Sequence, residues 1–420
     1  MNSISAIDWQ KKIYLNGFWG KIPKVKIDNQ KLEEAARQVM PPKAFAYIAG
    51  GAGNESTMRA NREAFDKYKI IPRMLKNVGE RDIRIELFGQ TLPSPFLLSP
   101  IGVLEMAHAE ADVAVGRAAA QLGVPYIFSN QASRPMEEVA EAMGDAPRWF
   151  QLYWSKSNEL VTSFVQRAER CGCKAIVVTL DTTMLGWRTR DLDIAYLPFL
   201  EGKGIAQYTS DPVFQKLMDE PPTGEKPKRE ISWHSIQGLV SMVNRYPGKG
   251  FFKKLSSGRP VRAVQQFTNI YSNPCTTWDD LKFLRELTKL PIVLKGILHP
   301  DDARKALDFG MDGILVSNHG GRQVDGSIST IEALPAIVNI VNEKIPVLLD
   351  SGVRGGADVF KALALGAKAV CIGRPYVYGL TLAGEVGVTE VLRNFMADFE
   401  LTMGLAGCKN VSEITRETLQ

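Results

Sequence analysis

From about residue 94 onward the chain repeats one grammar: a short apolar run, a polar loop and an amphipathic helical stretch. The apolar runs span 95–100, 125–129, 148–153, 175–180, 291–294, 313–317, 346–350 and 370–373. Parallel neighbours need a crossover connection, and a helix supplies it. Strands covered by helices read as unbroken apolar runs, as these do. Eight such units predict a closed (β/α)8 TIM barrel, with a doubly wound open sheet as the alternative. Punctuation around the fifth helix agrees: Pro300 opens it, Asp301 and Asp302 suit its positive end, and Gly310 stops it.

The chain has 420 residues, enough for one large barrel with extensions, and the expectation is a single unit over 1–420. Residues 1–93 form an N-terminal extension: an arm without clear period to about residue 30, then helix in pieces. Pro41-Pro42 breaks the first piece, and the glycine run at 50–53 ends the second. Between strand four and its helix, at 277–290, the spacing fails. The insertion at 190–276 carries Pro221-Pro222, a basic run at 226–229 and Gly248-Lys249-Gly250, and is expected to act as a lid.

A net charge of +5 is spread among acidic residues without a stripe, which argues against nucleic acid. Five cysteines, odd in number, suggest reduced thiols, and Cys171-Gly172-Cys173 lacks the further ligands a zinc site needs, so no metal is expected. With no signal pattern and no membrane-length apolar run, the expected location is cytoplasmic, with no membrane partner.

In a barrel of this kind chemistry collects at the carboxyl ends of the strands, and those ends are polar here. Strand six opens into Ser317-Asn318-His319-Gly320-Gly321-Arg322-Gln323, which joins a base to a cation able to grip a carboxylate. A strand-end turn with a solvated arginine is the plainer alternative. Lys295 closes strand five as a Schiff-base former or a fixed cation, unless it merely faces solvent. Asp181 follows strand four and could orient His319 or cap a turn. Arg188 could be a second jaw on a carboxylate, and Tyr47 and Tyr153 could bring hydroxyls to the same mouth. Gly352-Val353-Arg354-Gly355-Gly356 opens a helix at 357–365, and Gly373-Arg374-Pro375 follows strand eight. Bare amides at helix starts with arginines make a phosphate cradle, although glycines serving turn geometry would read alike.

These motifs, with Leu294-Lys295-Gly296, Asp350-Ser351-Gly352-Val353-Arg354 and Ile372-Gly373-Arg374-Pro375, carry a resemblance. From about Pro42 to the carboxyl terminus, apart from the insertion, the chain resembles the FMN-dependent 2-hydroxy-acid oxidising family. Within it the lactate 2-monooxygenase branch is nearest, on Tyr47 to Gly53, Ser99-Pro100-Ile101-Gly102, Leu185-Gly186-Trp187-Arg188 and Asp211 to Lys216. The resemblance implies FMN as cofactor, a small L-2-hydroxy acid, foremost L-lactate, as substrate, oxygen as oxidant, and a homotetramer or homo-octamer. It makes His319 the base and Asp181 the stabiliser of its protonated form. Arg188 and Arg322 would hold the carboxylate, with Tyr47 and Tyr153 at its oxygens and Lys295 at the N1/O2 edge of the flavin. Pro100, Ile101, Gly102, Ser129, Gln151, Thr179 and Ser317 would line the ring; Asp350, Gly352, Arg354, Gly373 and Arg374 would take the ribityl phosphate. Leu185, Trp187 and Gln131 would shape the pocket for the substrate's side chain. Glycine at 102 would leave room for product above the ring, favouring acetate and carbon dioxide over free 2-keto acid and peroxide. The rivals are an oxidase, and a dehydrogenase passing electrons to a quinone or a carrier protein.

Overall fold

The computed structural model describes residues 5–220 and 231–420. A hairpin, β1 (Ile85–Leu87) with β2 (Gln90–Leu92), precedes the barrel strands. These are β3 (Phe96–Leu98), β4 (Tyr126–Phe128), β5 (Arg148–Leu152), β6 (Ile176–Thr179), β7 (Ile292–Ile297), β8 (Gly313–Val316), β9 (Val347–Leu349) and β10 (Ala369–Ile372). They close in the order β10-β3-β4-β5-β6-β7-β8-β9, every pairing parallel. Each expected run becomes a strand, and closure excludes the open sheet. β7 runs past the expected end, so Lys295 lies within it, and the register with β8 shifts between Lys295 and Ile297.

Alternation along the strands sorts side chains into two cores. Outward residues such as Phe96, Leu98 and Val178 join the large cluster beneath the helices. Inward residues, among them Leu97, Ile127, Val177, Val293, Leu315 and Leu348, fill the barrel. The hairpin plugs the amino-terminal end: Phe88 packs 5.5 Å from Trp149, and Ile85, Leu87 and Leu92 join the inner cluster. Its two-residue turn has both φ values positive, 48° at Phe88 and 70° at Gly89. Phenylalanine is an uncommon occupant of such a turn, which hides the hairpin from a reading of the sequence.

The expected N-terminal arm is in part a helix, Ala6–Phe18. Its partner lies at the far end of the chain: Trp9 Nε1 donates to Asn394 Oδ1 at 2.9 Å, and the Ala6 amide to Glu400 at 3.0 Å. Asn394 and Glu400 belong to the last long helix, Arg374–Leu405, which breaks at Ala383 and Gly384. Among the described residues no helix is long and apolar enough to cross a membrane.

The insertion is helical, with its longest pieces at Trp233–Arg245 and Arg259–Ile270. Gly248 and Gly250 form the turn after the first of these, whereas Pro221-Pro222 and the basic run at 226–229 lie outside the described residues. A buried ion pair ties the insertion to the barrel. Arg167, on the helix after β5, donates to Asp211 Oδ2 at 3.0 Å, and both side chains are almost without solvent contact. Asp211 also accepts from Ser163 Oγ at 2.7 Å and caps the helix Pro212–Leu217 through the amides of Val213 and Phe214. Asp211→Ala removes one of the two carboxylates on Arg167, which keeps its pair with Glu137, and costs about 1.5–3 kcal/mol for the lost charged hydrogen bond. Urea unfolding should show that loss; a change under about 1 kcal/mol would mean the pair does not anchor the insertion.

Candidate active site

Two residues beyond each member of the apolar inner layer, the next inward position on every strand is polar or glycine. These positions are Ser99, Ser129, Gln151, Thr179, Lys295, Ser317, Asp350 and Gly373. A packed plug therefore ends in a polar floor at the carboxyl end of the barrel. Above it lies a cavity open to solvent.

The loop after β8 reverses through three consecutive left-handed residues, His319 (φ 57°), Gly320 (66°) and Gly321 (75°). A Cβ on Gly321 would lie 2.7 Å from the Met58 nitrogen, so only glycine lets the loop meet the N-terminal helix Ser56–Glu63. Two further contacts lock this junction. Asn318 and Asn61 exchange side-chain amide bonds at 2.8 Å in a buried place, and Asp325 accepts from Asn54, Ser56 and Thr57.

The turn points the His319 ring into the cavity with Nδ1 already occupied: Asp181 Oδ1 is 2.7 Å away and Thr182 Oγ1 3.1 Å. Nε2 is the nitrogen left for a ligand. Lys295 Nζ stands 3.3 Å from Asp181 Oδ2, 3.7 Å from Asp350 Oδ2 and 2.9 Å from Ser317 Oγ. Burial opposes charge on all three groups, with different outcomes. At Asp181 the Lys295 ammonium and His319 outweigh it, and the carboxyl is held well below the usual range. At Lys295 the Asp181 and Asp350 carboxylates outweigh it, and the ammonium is reinforced. At His319 burial prevails over Asp181, so the imidazole titrates below its ordinary 6.5. Near neutral pH the set is a carboxylate, an ammonium and a neutral imidazole, the state a general base requires.

Arg188 and Arg322 flank Tyr47, their guanidinium carbons 5.8 and 5.0 Å from its ring centre. Arg188 donates to Gln323 Oε1 at 3.2 Å, and Arg322 to the carbonyls of Tyr47 and of Gly50, the latter at 2.9 Å. Burial and the neighbouring Arg188 push the Arg322 guanidinium down to about 9. Among the described residues neither arginine has a carboxylate at ion-pair distance, so an anionic ligand would relieve their mutual repulsion. Burial pushes Tyr153 up to about 12, which keeps its hydroxyl a donor.

At the strand-seven and strand-eight end, burial pushes Arg354 down to about 10 and lowers Arg374 as well. Arg354 donates from its side chain only to the carbonyl of Val353, whereas Arg374 donates to Ile48, Gly50 and Gly320 carbonyls. The rest of the glycine cradle is a packing device. The Gly356 amide donates to Asp398, and a Cβ there would lie 2.2 Å from the Phe399 nitrogen. At Gly352, φ is 95° and a Cβ would meet the Asn61 carbonyl at 2.3 Å.

The residues present suit FMN. Thr179 Oγ1, on the cavity wall, and Gln151 Nε2, behind it, are buried without a partner among the described residues and can serve a ring's polar edge. Two half-buried arginines, Arg354 and Arg374, have no carboxylate at ion-pair distance among the described residues and suit a phosphate. Pro100, Ile101, Gly102, Asp350, Gly352 and Gly373 also reach the cavity, while Ser129 and Ser317 lie behind its wall, bonded to the Gln131 amide and to Lys295.

Two expectations change, and four residues are added. A Cβ on Gly102 would meet the Gln131 carbonyl at 2.9 Å, so this glycine serves the approach of two loops, and no methyl is missing from the cavity itself. Trp187 is 73% exposed and away from the cavity wall; Leu185 and Gln131 do line it, joined by Phe199 and Tyr271. Those last two come from the insertion and its exit, where sequence carries no signal. Thr182 and Ser351 are also new. Ser351 Oγ accepts from the Gly320 amide at 2.9 Å, and both residues stand directly after an expected carboxylate, Asp181 and Asp350, the one cue available.

Residues 36–420 match the model of the FMN-dependent dehydrogenase family. An L-lactate oxidase of Lysinibacillus sphaericus is 43% identical over 388 residues, covering 92% of this chain and 91% of that protein. Human 2-hydroxyacid oxidase 1 is 40% identical, covering 91% and 94%. A crystal structure of mandelate oxidase with (S)-4-hydroxymandelic acid superposes with a TM-score of 0.76 at 36% identity, covering 94% of this chain and 98% of the other.

Because the charge of Asp181 supports protonation of His319, Asp181→Asn should move the imidazole's titration further down. The chain has four histidines, so histidine-labelled NMR can follow the shift in the purified protein. An upward or absent shift would show that the pair is not coupled as drawn.

Proposed function

The chain belongs to the FMN-dependent dehydrogenase family and oxidises 2-hydroxy acids, and from that premise we propose that its substrate is a small L-2-hydroxy acid, foremost L-lactate, with oxygen as oxidant. The observation that carries the reading is the neutral His319, backed by Asp181, in one cavity with Lys295 and two arginines that lack a carboxylate partner among the described residues. Arg188 and Arg322 bind the substrate carboxylate, and Tyr47 and Tyr153 orient its oxygens. His319 Nε2 takes the proton that leaves the substrate, and Asp181 stabilises the imidazolium that results. FMN, when bound, accepts the two electrons. Lys295 holds a permanent positive charge beside the cavity, where it favours negative charge arriving on reduction.

Aromatic and aliphatic groups, Tyr153, Phe199, Tyr271 and Leu185, crowd the cavity and favour a short substrate side chain. Phe199 and Tyr271 also cover the site from the insertion side. That cover supports retention of the 2-keto acid with peroxide, whose reaction gives the next shorter acid, carbon dioxide and water, as in a lactate 2-monooxygenase. With Gly102 directed at Gln131, retention rests on the insertion alone. Release of both products would make the protein an oxidase, as the name of its bacterial relative has it.

Anaerobic mixing with a panel of L-2-hydroxy acids, followed by flavin bleaching, tests the substrate class; no reduction by any of them would sink the reading. In air, acetate should exceed pyruvate and free peroxide, and stoichiometric pyruvate and peroxide would assign an oxidase. His319→Gln should keep FMN yet slow reduction about 10²-fold or more. A rate near wild type would mean that another group is the base. Arg188→Met removes a charge-assisted bond of about 1.5–3 kcal/mol and should weaken substrate binding about 10- to 100-fold. The pH profile of reduction should fall on its acid side, with a midpoint below 6.5, because protonation removes the base as pH drops through the lowered pKa of His319. A midpoint above 6.5 would contradict the assignment.

A further inference from the structure

Behind the catalytic pair lies a second solvent-open cavity that none of these roles uses. It sits between the ends of β6 and β7 and the segment leading from the insertion into helix Asp280–Leu287. Thr179 and Thr182 belong to the walls of both cavities, so at those positions the partition is one side chain thick. The two linings differ in charge. The catalytic cavity presents Arg188, Lys295, Arg322, Arg354 and Arg374. The second presents Thr183, Ser272, Asn273, Thr276 and Thr277, with Asp302 as its one ionisable group among the described residues. Trp154 lines it too; that residue is 5% exposed, and its indole N–H has no protein partner.

Such a lining suits one class of molecule. A 2-keto acid is an anion and is favoured on the arginine side, while hydroxyls without cations repay little of its desolvation. A small neutral hydroxylic molecule finds donors and acceptors along the second wall. Hydrogen peroxide, formed when oxygen takes the two electrons and two protons of the substrate, is that kind of molecule. We propose that peroxide leaves past Thr179 and Thr182 into this hydroxyl-lined cavity and from there to solvent. The side cavity then sets how much peroxide remains beside the 2-keto acid. Peroxide that remains adds to the C2 carbonyl; its O–O bond and the C1–C2 bond break, and carbon dioxide leaves. One peroxide oxygen stays in the shortened acid and the other ends in water, so the keto acid is oxidised and the peroxide reduced. This inference rests on oxygen being the oxidant.

Ser272→Phe and Thr276→Leu narrow the cavity from its far side, and Thr183→Ala widens it; none of the three touches the catalytic groups. Flavin content and anaerobic reduction should match the wild type. Under air, each narrowing change should raise the ratio of decarboxylated acid to free peroxide by about threefold or more, about 0.65 kcal/mol in the competition between escape and attack. Thr183→Ala should lower it. The route is wrong if the ratio stays put in every variant that retains FMN, or if narrowing slows only the reaction with oxygen. An unmoved ratio in an oxygen-consuming enzyme overturns the route alone. A protein reduced by substrate that consumes no oxygen overturns the route together with the choice of oxidant.

Discussion

The site depends on one buried carboxylate. Asp181 lies between His319 and Lys295, and each neighbour needs it for a different reason. Without its negative charge the Lys295 ammonium would sit in the barrel mouth with only Asp350 to offset it, and burial would favour its loss of a proton. Without its Oδ1 the imidazole would lose the bond that fixes its tautomer and aims Nε2 at the cavity. In return the Lys295 ammonium and the bond to His319 hold Asp181 ionised where burial alone would neutralise it. The three groups settle one another's charge, and the cavity inherits a neutral base next to a fixed positive charge.

The mouth around this triad is built from distant parts of the chain. Arg322, after β8, and Arg374, after β10, both donate to backbone carbonyls of the segment from Tyr47 to Gly50. The Ala52 amide returns a bond to the Gly321 carbonyl, and the Gly53 amide to Trp187. The N-terminal extension is therefore the wall that carries Tyr47. Carbonyls hold these guanidiniums in place without neutralising them, which leaves their charge available to anionic ligands.

The insertion adds what a bare barrel lacks. Its anchor at Arg167 and Asp211 fixes one end, and Phe199 and Tyr271 bring apolar cover over polar catalytic groups. On the route proposed above, product fate becomes a matter of two cavities of different chemistry. One is lined by cations that hold an anion, and the other by hydroxyls that admit a neutral molecule.

Much of this was legible in the residues alone. Eight apolar runs of strand length separated by helices leave a closed parallel barrel as the compact solution, and its geometry sends chemistry to the strand ends. His319, Lys295, Asp181, Arg188 and Arg322 could be picked out there by type and position. What sequence could not supply is direction and distant partnership. Gly102 and Gly356 look like ligand-facing glycines, yet each is required by the close approach of a loop or helix far along the chain. Trp187 stands in a motif beside Arg188 but turns to solvent, because a loop has no regular period that would reveal from sequence which side each residue faces. The helix Ala6–Phe18 acquires its partners only from residues 394 and 400. Local pattern determines which elements form and where polar groups gather. Which atoms meet across hundreds of residues is decided by closure of the barrel and by the packing of its extensions onto it.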